Sequence, residues 1–333
     1  MTTNSRTLVT GGTGFLGRHL VERLAAAGAS PRVLSTRPPA WLGAAGCDTV
    51  EGTITDPAVL ARACAGVTDI YHLAGRVSRD PDDGHRMYEI HVEGTRRLCE
   101  AANAAGVRRI VLCSSSGTLA VTEDGERIPD ETGEPPLAII AKWPYYLSKL
   151  YQERAARDAC RATGPELVIV QPSLVLGPGD ERLSSTLDVQ RFLDGKMPVL
   201  PPGGLSFVDA RDAAAGLMAA MDRGRPGDRY LLGAANWTAK RFFDRIATLA
   251  DRRVPVLTAP AAAMRVGGAV MDFAFRPVGR TPPVDRASAE MGTYFWYLDD
   301  AKARKELGWS PRDANETLHD TVSWLRHGGR STA

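Results

Sequence analysis

The sequence predicts an α/β fold in which a doubly wound parallel sheet is followed by a smaller C-terminal α/β region. Two observations support this prediction. A short apolar strand over residues 7–9 runs into three glycines, Gly11, Gly14 and Gly17, and an amphipathic helical pattern over residues 15–27 follows. Further along the chain, apolar strand patterns alternate with helical ones, which is typical of βαβ units and of a parallel sheet covered on both faces.

The three glycines each meet a mechanical need of a dinucleotide-binding turn. Gly11 permits the tight turn after the strand, Gly14 lets the backbone approach a pyrophosphate, and Gly17 lets the helix pack closely on the sheet. The phosphates would lie at the helix N-terminus, where unpaired N–H groups and the helix dipole favour anions. Surface loops also produce glycine triplets, but a strand before and a helix after this one favour the Rossmann fold. The residues expected to contact the dinucleotide here are Gly11, Thr13, Gly14, Phe15, Leu16 and Gly17.

The next elements follow in the order that such a sheet requires. Strand patterns cover residues 31–35, 49–51, 69–73, 109–113 and 166–171, and helical patterns cover residues 58–65, 85–105 and 145–161. Residues 117–143 are rich in proline and charge, and we expect them to form a loop at the rim of the cleft. We therefore predict a nucleotide-binding domain over residues 1–171.

Beyond Pro172 the pattern changes, because proline and glycine clusters separate shorter elements. We predict a smaller substrate-binding region over residues 172–333. A strand at 206–209 and a helix at 211–221 precede helical patterns at 239–250, 259–275, 300–307 and 314–325. We expect the segment 206–222 to return to the nucleotide-binding domain.

Composition argues against several other classes of protein. The 333 residues are 44% hydrophobic and 24% charged, as in ordinary globular proteins. A formal net charge of +2 without a dense basic block argues against nucleic acid binding. The five cysteines form no C-x-x-C pair and the six histidines show no metal-ligand spacing, so we expect reduced thiols, no metal and a cytoplasmic location. The stretch closest to a membrane span, residues 259–275, contains Arg265 and Asp272, so we expect no span.

The turn after the second strand indicates which nicotinamide cofactor is bound. NAD sites usually place a carboxylate about 20 residues beyond the glycine loop, where it holds the ribose 2′-hydroxyl. Between Glu22 and Asp48 the sequence has no Asp or Glu. Arg37, with Ser35 beside it, stands at the end of the strand and suits a 2′-phosphate. We therefore predict NADP(H), although an arginine in such a turn can also be merely solvated.

Two motifs indicate the chemistry. A serine triplet, residues 114–116, follows a predicted strand at the edge of the sheet where ligands bind. Tyr145 and Lys149 form a Y-x-x-x-K motif and share one face of a helix. The ammonium and an oxidised nicotinamide ring are expected to lower the phenol pKa, so that Tyr145 can exchange a proton with a ketone oxygen held by a serine. Lys149 would also bond the nicotinamide ribose, and any of the three serines could instead simply end the strand.

Together these motifs resemble an extended short-chain dehydrogenase/reductase over essentially the whole chain. The matching segments are T-G-G-T-G-F-L-G at 10–17, H-L-A-G at 72–75, S-S-S at 114–116, Y-x-x-x-K at 145–149, F-V-D-A-R-D at 207–212 and E-L-G-W-S-P at 306–311. The chain is most similar to the dihydroflavonol-4-reductase-like branch of this family. Pro172 and Ser173, with residues 177–178 and 192–198, are most similar to the hopanoid-associated epimerase-like proteins of that branch.

The resemblance implies further site residues. It places the catalytic serine at Ser115, with Ser116 as the alternative. It also implies a homodimer formed by the helices at 85–105 and 145–161. The cofactor contacts that it adds are Thr53, Ile54, Leu73, Ala74, Gly75, Tyr145, Lys149, Pro172 and Ser173.

The sequence departs from the family pattern at three positions. Thr53 stands where the family often has an aspartate that contacts adenine. His91 replaces a common asparagine, which leaves the proton-relay role unassigned. Leu205 stands where nucleotide-sugar epimerases typically have an arginine that grips the diphosphate, and leucine cannot pair a diphosphate.

These features favour an NADP(H)-dependent reductase of a ketone, or dehydrogenase of the secondary alcohol, on a mainly apolar small molecule. The apolar stretch 259–275 and the turn 275–277 are expected to cap the pocket, with Trp296 and Tyr297, although such a helix is more often core. One alternative is a nucleotide-sugar epimerase or dehydratase that keeps its cofactor bound. Another is a non-catalytic NADP(H) sensor, a class that tends to lose the tyrosine.

Overall fold

A computed structural model describes residues 6–161, 164–197, 199–252, 257–275 and 285–327. Its strands are β1 (Thr7–Thr10), β2 (Arg32–Ser35), β3 (Asp48–Glu51), β4 (Asp69–His72), β5 (Arg109–Cys113), β6 (Glu166–Pro172), β7 (Leu174–Leu176), β8 (Val199–Leu200), β9 (Gly204–Asp209), β10 (Arg229–Leu232), β11 (Ala235–Thr238), β12 (Leu257–Thr258) and β13 (Phe295–Trp296).

The helices show the βαβ alternation that the sequence predicts. They are α1 (Phe15–Ala26), α2 (Ala40–Ala44), α3 (Pro57–Cys64), α4 (Gly84–Tyr88), α5 (Gly94–Ala104), α6 (Leu137–Ile140), α7 (Pro144–Ala159), α8 (Leu187–Leu193), α9 (Ala210–Arg223), α10 (Ala239–Leu249), α11 (Ala261–Phe275), α12 (Arg286–Met291), α13 (Ala301–Leu307) and α14 (Ala314–Arg326). A π-helical turn, Glu89–Glu93, joins α4 to α5.

The main sheet confirms the predicted Rossmann fold. Seven strands run in the order β10-β6-β5-β4-β1-β2-β3, and every neighbouring pair is parallel. The strand order reverses between β1 and β4, which leaves a crevice at the carboxyl ends of the strands.

Strand residues alternate between two hydrophobic cores because successive side chains point to opposite faces of a sheet. In β1, Val9 belongs to the core that includes α1 and α9, whereas Leu8 belongs to the core that includes α3 and α5. In β5, Val111 belongs to the core of α1 and α9, and Ile110 belongs to the core of α3 and α5. Both faces are therefore covered, as parallel sheets require.

The second part of the chain differs from the predicted division. β9, predicted to return to the nucleotide-binding domain as part of 206–222, instead belongs to a smaller sheet with β7, β11 and β13. The helix of that segment, α9, packs on the main sheet, where its alanines share the core of α1, and Val208 of β9 lies in the same core. The sequence analysis also missed β10, which pairs with β6 as the seventh strand. The reason is that the pairing is long-range and follows from no local pattern.

The fold predicts that Gly17 tolerates no side chain. A Cβ atom there would lie 2.1 Å from the carbonyl oxygen of Gly11, and backbone at this contact cannot give way. We expect Gly17→Ala to lower the free energy of unfolding by roughly 1–3 kcal/mol. Urea denaturation measures this, with Gly43→Ala as the control, because nothing lies within 4 Å of a Cβ at that helical position. Equal effects of the two substitutions would contradict the close approach at Gly17.

Candidate active site

The carboxyl ends of β1, β4, β5 and β6 open into one large cleft. Its volume is about 2080 Å³, and it extends from the glycine loop to the small sheet. Most of the predicted site residues line it, namely Gly11, Thr13, Gly14, Phe15, Leu16, Gly17, Arg37, Leu73, Gly75, Ser115, Tyr145, Lys149, Pro172 and Ser173.

Four predicted cofactor residues are absent from this lining. Ser35 is buried behind the turn, and Ala74 donates its backbone N–H to Thr10 Oγ1 at 3.2 Å. Thr53 is exposed and bonds Thr55, whereas Ile54 is buried in the core against α3 and α5.

The glycine loop has the geometry of a pyrophosphate cradle. Gly11 has a φ of +73°, and a Cβ atom there would lie 2.6 Å from the backbone of residues 73–74. Gly14 caps α1 with extended backbone, and its N–H donates to Gly11 O at 3.0 Å. The first turn of α1 thus faces the cleft with little side-chain bulk before it, which fits a bound pyrophosphate.

The turn after β2 carries the basic group expected for a 2′-phosphate. The Arg37 side chain is exposed and lines the cleft, and its backbone N–H donates to Ser35 Oγ at 3.3 Å. Ser35 therefore shapes the turn. Two residues that no sequence pattern indicated, Arg18 and Trp41, line the same end of the cleft. The Arg18 guanidinium lies 5.3 Å from the centre of the Trp41 indole ring. Arg18 is already paired with Glu22 at 2.8 Å.

Helix α7 brings the Y-x-x-x-K motif to the cleft. It begins at Pro144, a residue suited to the first turn of a helix because its missing N–H would have no partner there. The Lys149 side chain is buried, and Nζ donates to Cys113 O and to Gln152 Oε1, both at 2.9 Å. Burial lowers the pKa of Lys149, whereas Cys113 and Glu153 oppose this shift.

The surroundings of Tyr145 in the protein oppose the predicted lowering of its pKa. Burial raises the pKa of Tyr145 well above its ordinary value, and the neighbouring Tyr146 and Cys113 add to the rise. A hydrogen bond with Ser115 acts in the opposite direction without cancelling it. The phenol is consequently protonated at neutral pH, which is the form that a proton donor needs.

The three serines have different surroundings. Ser114 donates its hydroxyl hydrogen to Glu153, a buried carboxylate that also accepts from Thr118 Oγ1 at 2.9 Å and from Gln171 Nε2 at 3.0 Å. Ser115 is only half buried, lines the cleft together with Tyr145, and its hydroxyl oxygen accepts the Gly117 N–H at 3.3 Å. These contacts favour Ser115 as the serine that meets a substrate, as the family resemblance implies.

His91, whose role the sequence left open, anchors the start of α7. Its Nε2 accepts from the Arg76 backbone N–H at 2.9 Å, so the proton of the neutral ring is assigned to Nδ1. Nδ1 then donates to Ser148 Oγ at 2.9 Å, and Ser148 Oγ donates to Tyr145 O at 2.8 Å. Burial holds the pKa of His91 well below its ordinary value. It lies in the π-helical turn, which no sequence pattern indicated.

Aromatic rings form the wall of the cleft beside Tyr145. The Tyr146 ring centre lies 5.1 Å from that of Tyr145 and 4.9 Å from that of Trp296. The Trp143 ring centre lies 5.5 Å from that of Trp296. The predicted contribution of Trp296 is therefore seen, whereas Tyr297 packs against Phe295 and does not line the cleft.

Helix α11 caps the cleft less than predicted. Met264 and Asp272 reach the lining, but Val266 and Phe273 are 64% and 84% exposed. Of the predicted turn at 275–277, Phe275 is described, and the other two residues lie outside the described ranges.

Several cations in the substrate half of the cleft are paired with carboxylates. Arg79 forms a bidentate pair with Asp188, with N···O distances of 2.7 and 3.1 Å. Lys142 pairs with Glu290. These pairs neutralise charge that would otherwise attract a diphosphate.

No helix among the described residues is long and apolar enough to cross a membrane. No cluster of three or more His, Cys, Asp or Glu in these ranges has the arrangement of a metal site. The five cysteines are all free thiols.

Comparison with known proteins agrees with this geometry. Residues 7–233 match the NAD dependent epimerase/dehydratase family. A Synechocystis protein whose assigned name refers to dihydroflavonol 4-reductase is 33% identical, over 96% of this chain and 94% of its own. A Stigmatella aurantiaca ketoreductase named for a farnesylated dihydroquinoline oxide is 28% identical, over 95% of both chains.

A solved structure has the same architecture. A nucleoside-diphosphate-sugar epimerase from Pseudomonas aeruginosa is 25% identical, with a TM-score of 0.77 over 98% of this chain and 99% of its own.

The buried His72 predicts an acid-dependent loss of stability. Burial lowers its pKa from 6.5 to about 3, with Lys149 contributing to the shift. The unfolded state therefore takes up a proton between about pH 6.5 and 3 that the folded state does not. Between pH 7 and pH 5 this proton uptake lowers the free energy of unfolding by roughly 2 kcal/mol. We expect His72→Gln to reduce that loss of stability by the same amount. Urea denaturation at both pH values measures it, with the exposed His85→Gln as control. An unchanged pH dependence in His72→Gln would refute the assignment.

Proposed function

The chain belongs to the NAD dependent epimerase/dehydratase family, and we propose that it is an NADP(H)-dependent oxidoreductase. It reduces a ketone, or oxidises the secondary alcohol, on a mainly apolar small molecule. The observation that carries this proposal is the placement of the Tyr145 phenol and Ser115 in one cleft, between a glycine cradle and an aromatic wall.

Each side chain has a definite task in the reduction. The nicotinamide, when bound, supplies the hydride. The Tyr145 O–H donates its proton to the carbonyl oxygen, and the Ser115 hydroxyl donates a hydrogen bond to the same oxygen. Lys149 has a further N–H for the nicotinamide ribose, because two of the three N–H groups of its ammonium form are used by Cys113 and Gln152. In the oxidation direction the same groups act in reverse.

The lining of the cleft supports an apolar substrate. Rings of Trp143, Tyr146 and Trp296 flank the reacting position, and Leu205 lines the cleft where a diphosphate grip would be expected. Aromatic rings at this position favour a ligand that buries hydrocarbon against them. The named substrate of the Stigmatella ketoreductase, a farnesylated ring, has this character.

A second candidate is a nucleotide-sugar epimerase or dehydratase. The family description and the Pseudomonas structure favour it. Such an enzyme regenerates its cofactor in each cycle and has no need to release it. Stoichiometric nicotinamide in the purified protein, with conversion of a nucleotide sugar without added cofactor, would establish this candidate. Consumption of added NADPH with an apolar ketone would establish the first.

We also infer a cytoplasmic homodimer formed through the α4–α5 region and α7. Tyr88 on α4 is 46% exposed, and Tyr151 on α7 is 39% exposed, so both helices present an aromatic ring at the surface. Sedimentation equilibrium should give twice the 35.8 kDa mass of the chain, and a monomer mass would refute the dimer.

We expect Tyr145→Phe to abolish turnover while NADPH affinity stays nearly unchanged, because the substitution removes the proton donor and leaves the ring in place. Absorbance of NADPH with an active ketone measures turnover, and fluorescence titration measures binding. Tyr151→Phe, an exposed position on the same helix, is the matched control. Retained turnover in Tyr145→Phe would remove this phenol from the mechanism.

We expect Arg37→Glu to weaken NADPH binding far more than NADH binding, by about tenfold or more, because a charge-assisted bond to the 2′-phosphate is lost. Titration with both cofactors measures this. Arg23→Glu makes the same charge change at an exposed position outside the cleft. Equal losses for NADPH and NADH would contradict the phosphate role.

A further inference from the structure

The Lys149 ammonium is held by one side chain that neither the motifs nor the family resemblance point to. Besides the carbonyl of Cys113, Nζ donates to Gln152 Oε1 at 2.9 Å. Gln152 lies three residues further along α7 and is fully buried. A lysine ammonium only donates hydrogen bonds, so the amide oxygen must face it.

The other end of the Gln152 amide is also fixed. Its Nε2 donates to Thr95 Oγ1 at 2.9 Å, and Thr95 Oγ1 lies 2.7 Å from His72 Nε2. On the opposite side of the ring, His72 Nδ1 lies 2.7 Å from Thr10 Oγ1. Thr10 ends the strand before the glycine loop and accepts the Ala74 N–H. The network therefore joins α7, α5, β4 and β1.

Every member of this network is shielded from solvent. Thr10, His72, Thr95 and Gln152 each have no exposed surface. Buried hydrogen-bond networks with all partners in place are rigid, and an unpaired member is costly. The amide therefore has no alternative position with equally good partners.

We propose that Gln152 is a positioning residue that sets the place and charge of Lys149 in the active site. Its oxygen holds the ammonium at the carboxyl end of β5, and Thr95, His72 and Thr10 hold the amide. The inference rests on the proposed function, because Lys149 matters to that chemistry.

Other titratable groups also face Lys149. Glu153, on the same helix, and the Cys113 thiol, on β5, favour its charged form. His72 on β4 and His91 on the π-helical turn are neutral neighbours whose own pKa values Lys149 lowers. The Glu153 carboxylate accepts hydrogen bonds from Ser114, Thr118 and Gln171 rather than from Lys149. Gln152 is consequently the side-chain acceptor in direct contact.

The test measures the pKa of Lys149 by NMR of the NADPH complex with ¹³C,¹⁵N-labelled lysine, using Lys149→Met for assignment. Gln152→Leu removes an acceptor from the ammonium, and we expect the pKa to fall by about one unit. Gln152→Glu adds an opposite charge, and we expect the pKa to rise. This readout needs no turnover, so it is independent of whether the proposed reaction is right.

Kinetics supply the second readout, with 2-acetylnaphthalene as the probe ketone. We expect kcat of Gln152→Leu to fall about tenfold with KM nearly unchanged, and the alkaline limb of the kcat profile to move to lower pH. In Gln152→Glu that limb should move to higher pH. A wild-type enzyme that fails to reduce the probe would count against the proposed substrate class and not against the positioning role.

A pair of threonine variants keeps the test decisive if Gln152→Leu does not fold. Thr95→Val removes the anchor of the amide, and we expect a smaller fall in the Lys149 pKa. Thr321→Val removes an equally buried hydroxyl that accepts the Gly177 N–H, distant in sequence and outside the cleft lining. Its Lys149 pKa should equal that of the wild type. Unchanged Lys149 pKa values in the Gln152 and Thr95 variants would overturn the proposal.

Discussion

The hydrogen bond from Lys149 Nζ to the carbonyl oxygen of Cys113 is the contact on which the arrangement of the site depends. It joins helix α7 to the carboxyl end of β5 at 2.9 Å. Because Tyr145 lies one helical turn before Lys149, this contact also fixes the phenol beside Ser115. The parallel sheet places the glycine loop at the same edge, so this one bond aligns the Tyr145 phenol with the glycine loop.

Holding a charged group in this place has a cost that the surrounding residues offset. A buried ammonium is unfavourable unless hydrogen bonds replace its hydration. Two neutral histidines, His72 and His91, lie on either side of it, and burial keeps both uncharged. The interior of the nucleotide-binding domain thus contains a layer of polar groups directly beneath the cleft. The same layer that orders the site makes the fold sensitive to acid.

Local sequence patterns predicted the parts of this site that are local in the chain. The spacing of Gly11, Gly14 and Gly17 depends on one turn, and the pairing of Tyr145 with Lys149 depends on one helix. The absence of an acidic residue after β2 also needs no knowledge of the fold. Each of these features is determined within a few residues, which is why the sequence alone could indicate them.

Features that depend on long-range packing were missed or mistaken. The membership of β9 in the small sheet and of β10 in the main sheet follows from pairings between distant segments. The raised pKa of Tyr145 reflects burial by several elements, which a motif does not report. No sequence pattern indicated the roles of His91 and Gln152. The hydrogen-bond partners of His91 lie on other elements, and those of Gln152 include Lys149, one helical turn earlier, and Thr95 on α5.

The central claim is that this site transfers a hydride from NADPH to a ketone carbon while Tyr145 protonates the oxygen. The most direct measurement uses NADPH deuterated at the transferring position of nicotinamide C4, with mass spectrometry of the product. The account predicts one deuterium on the carbinol carbon of the alcohol and net formation of NADP⁺. Product without deuterium, formed while the cofactor is returned unchanged, would contradict it.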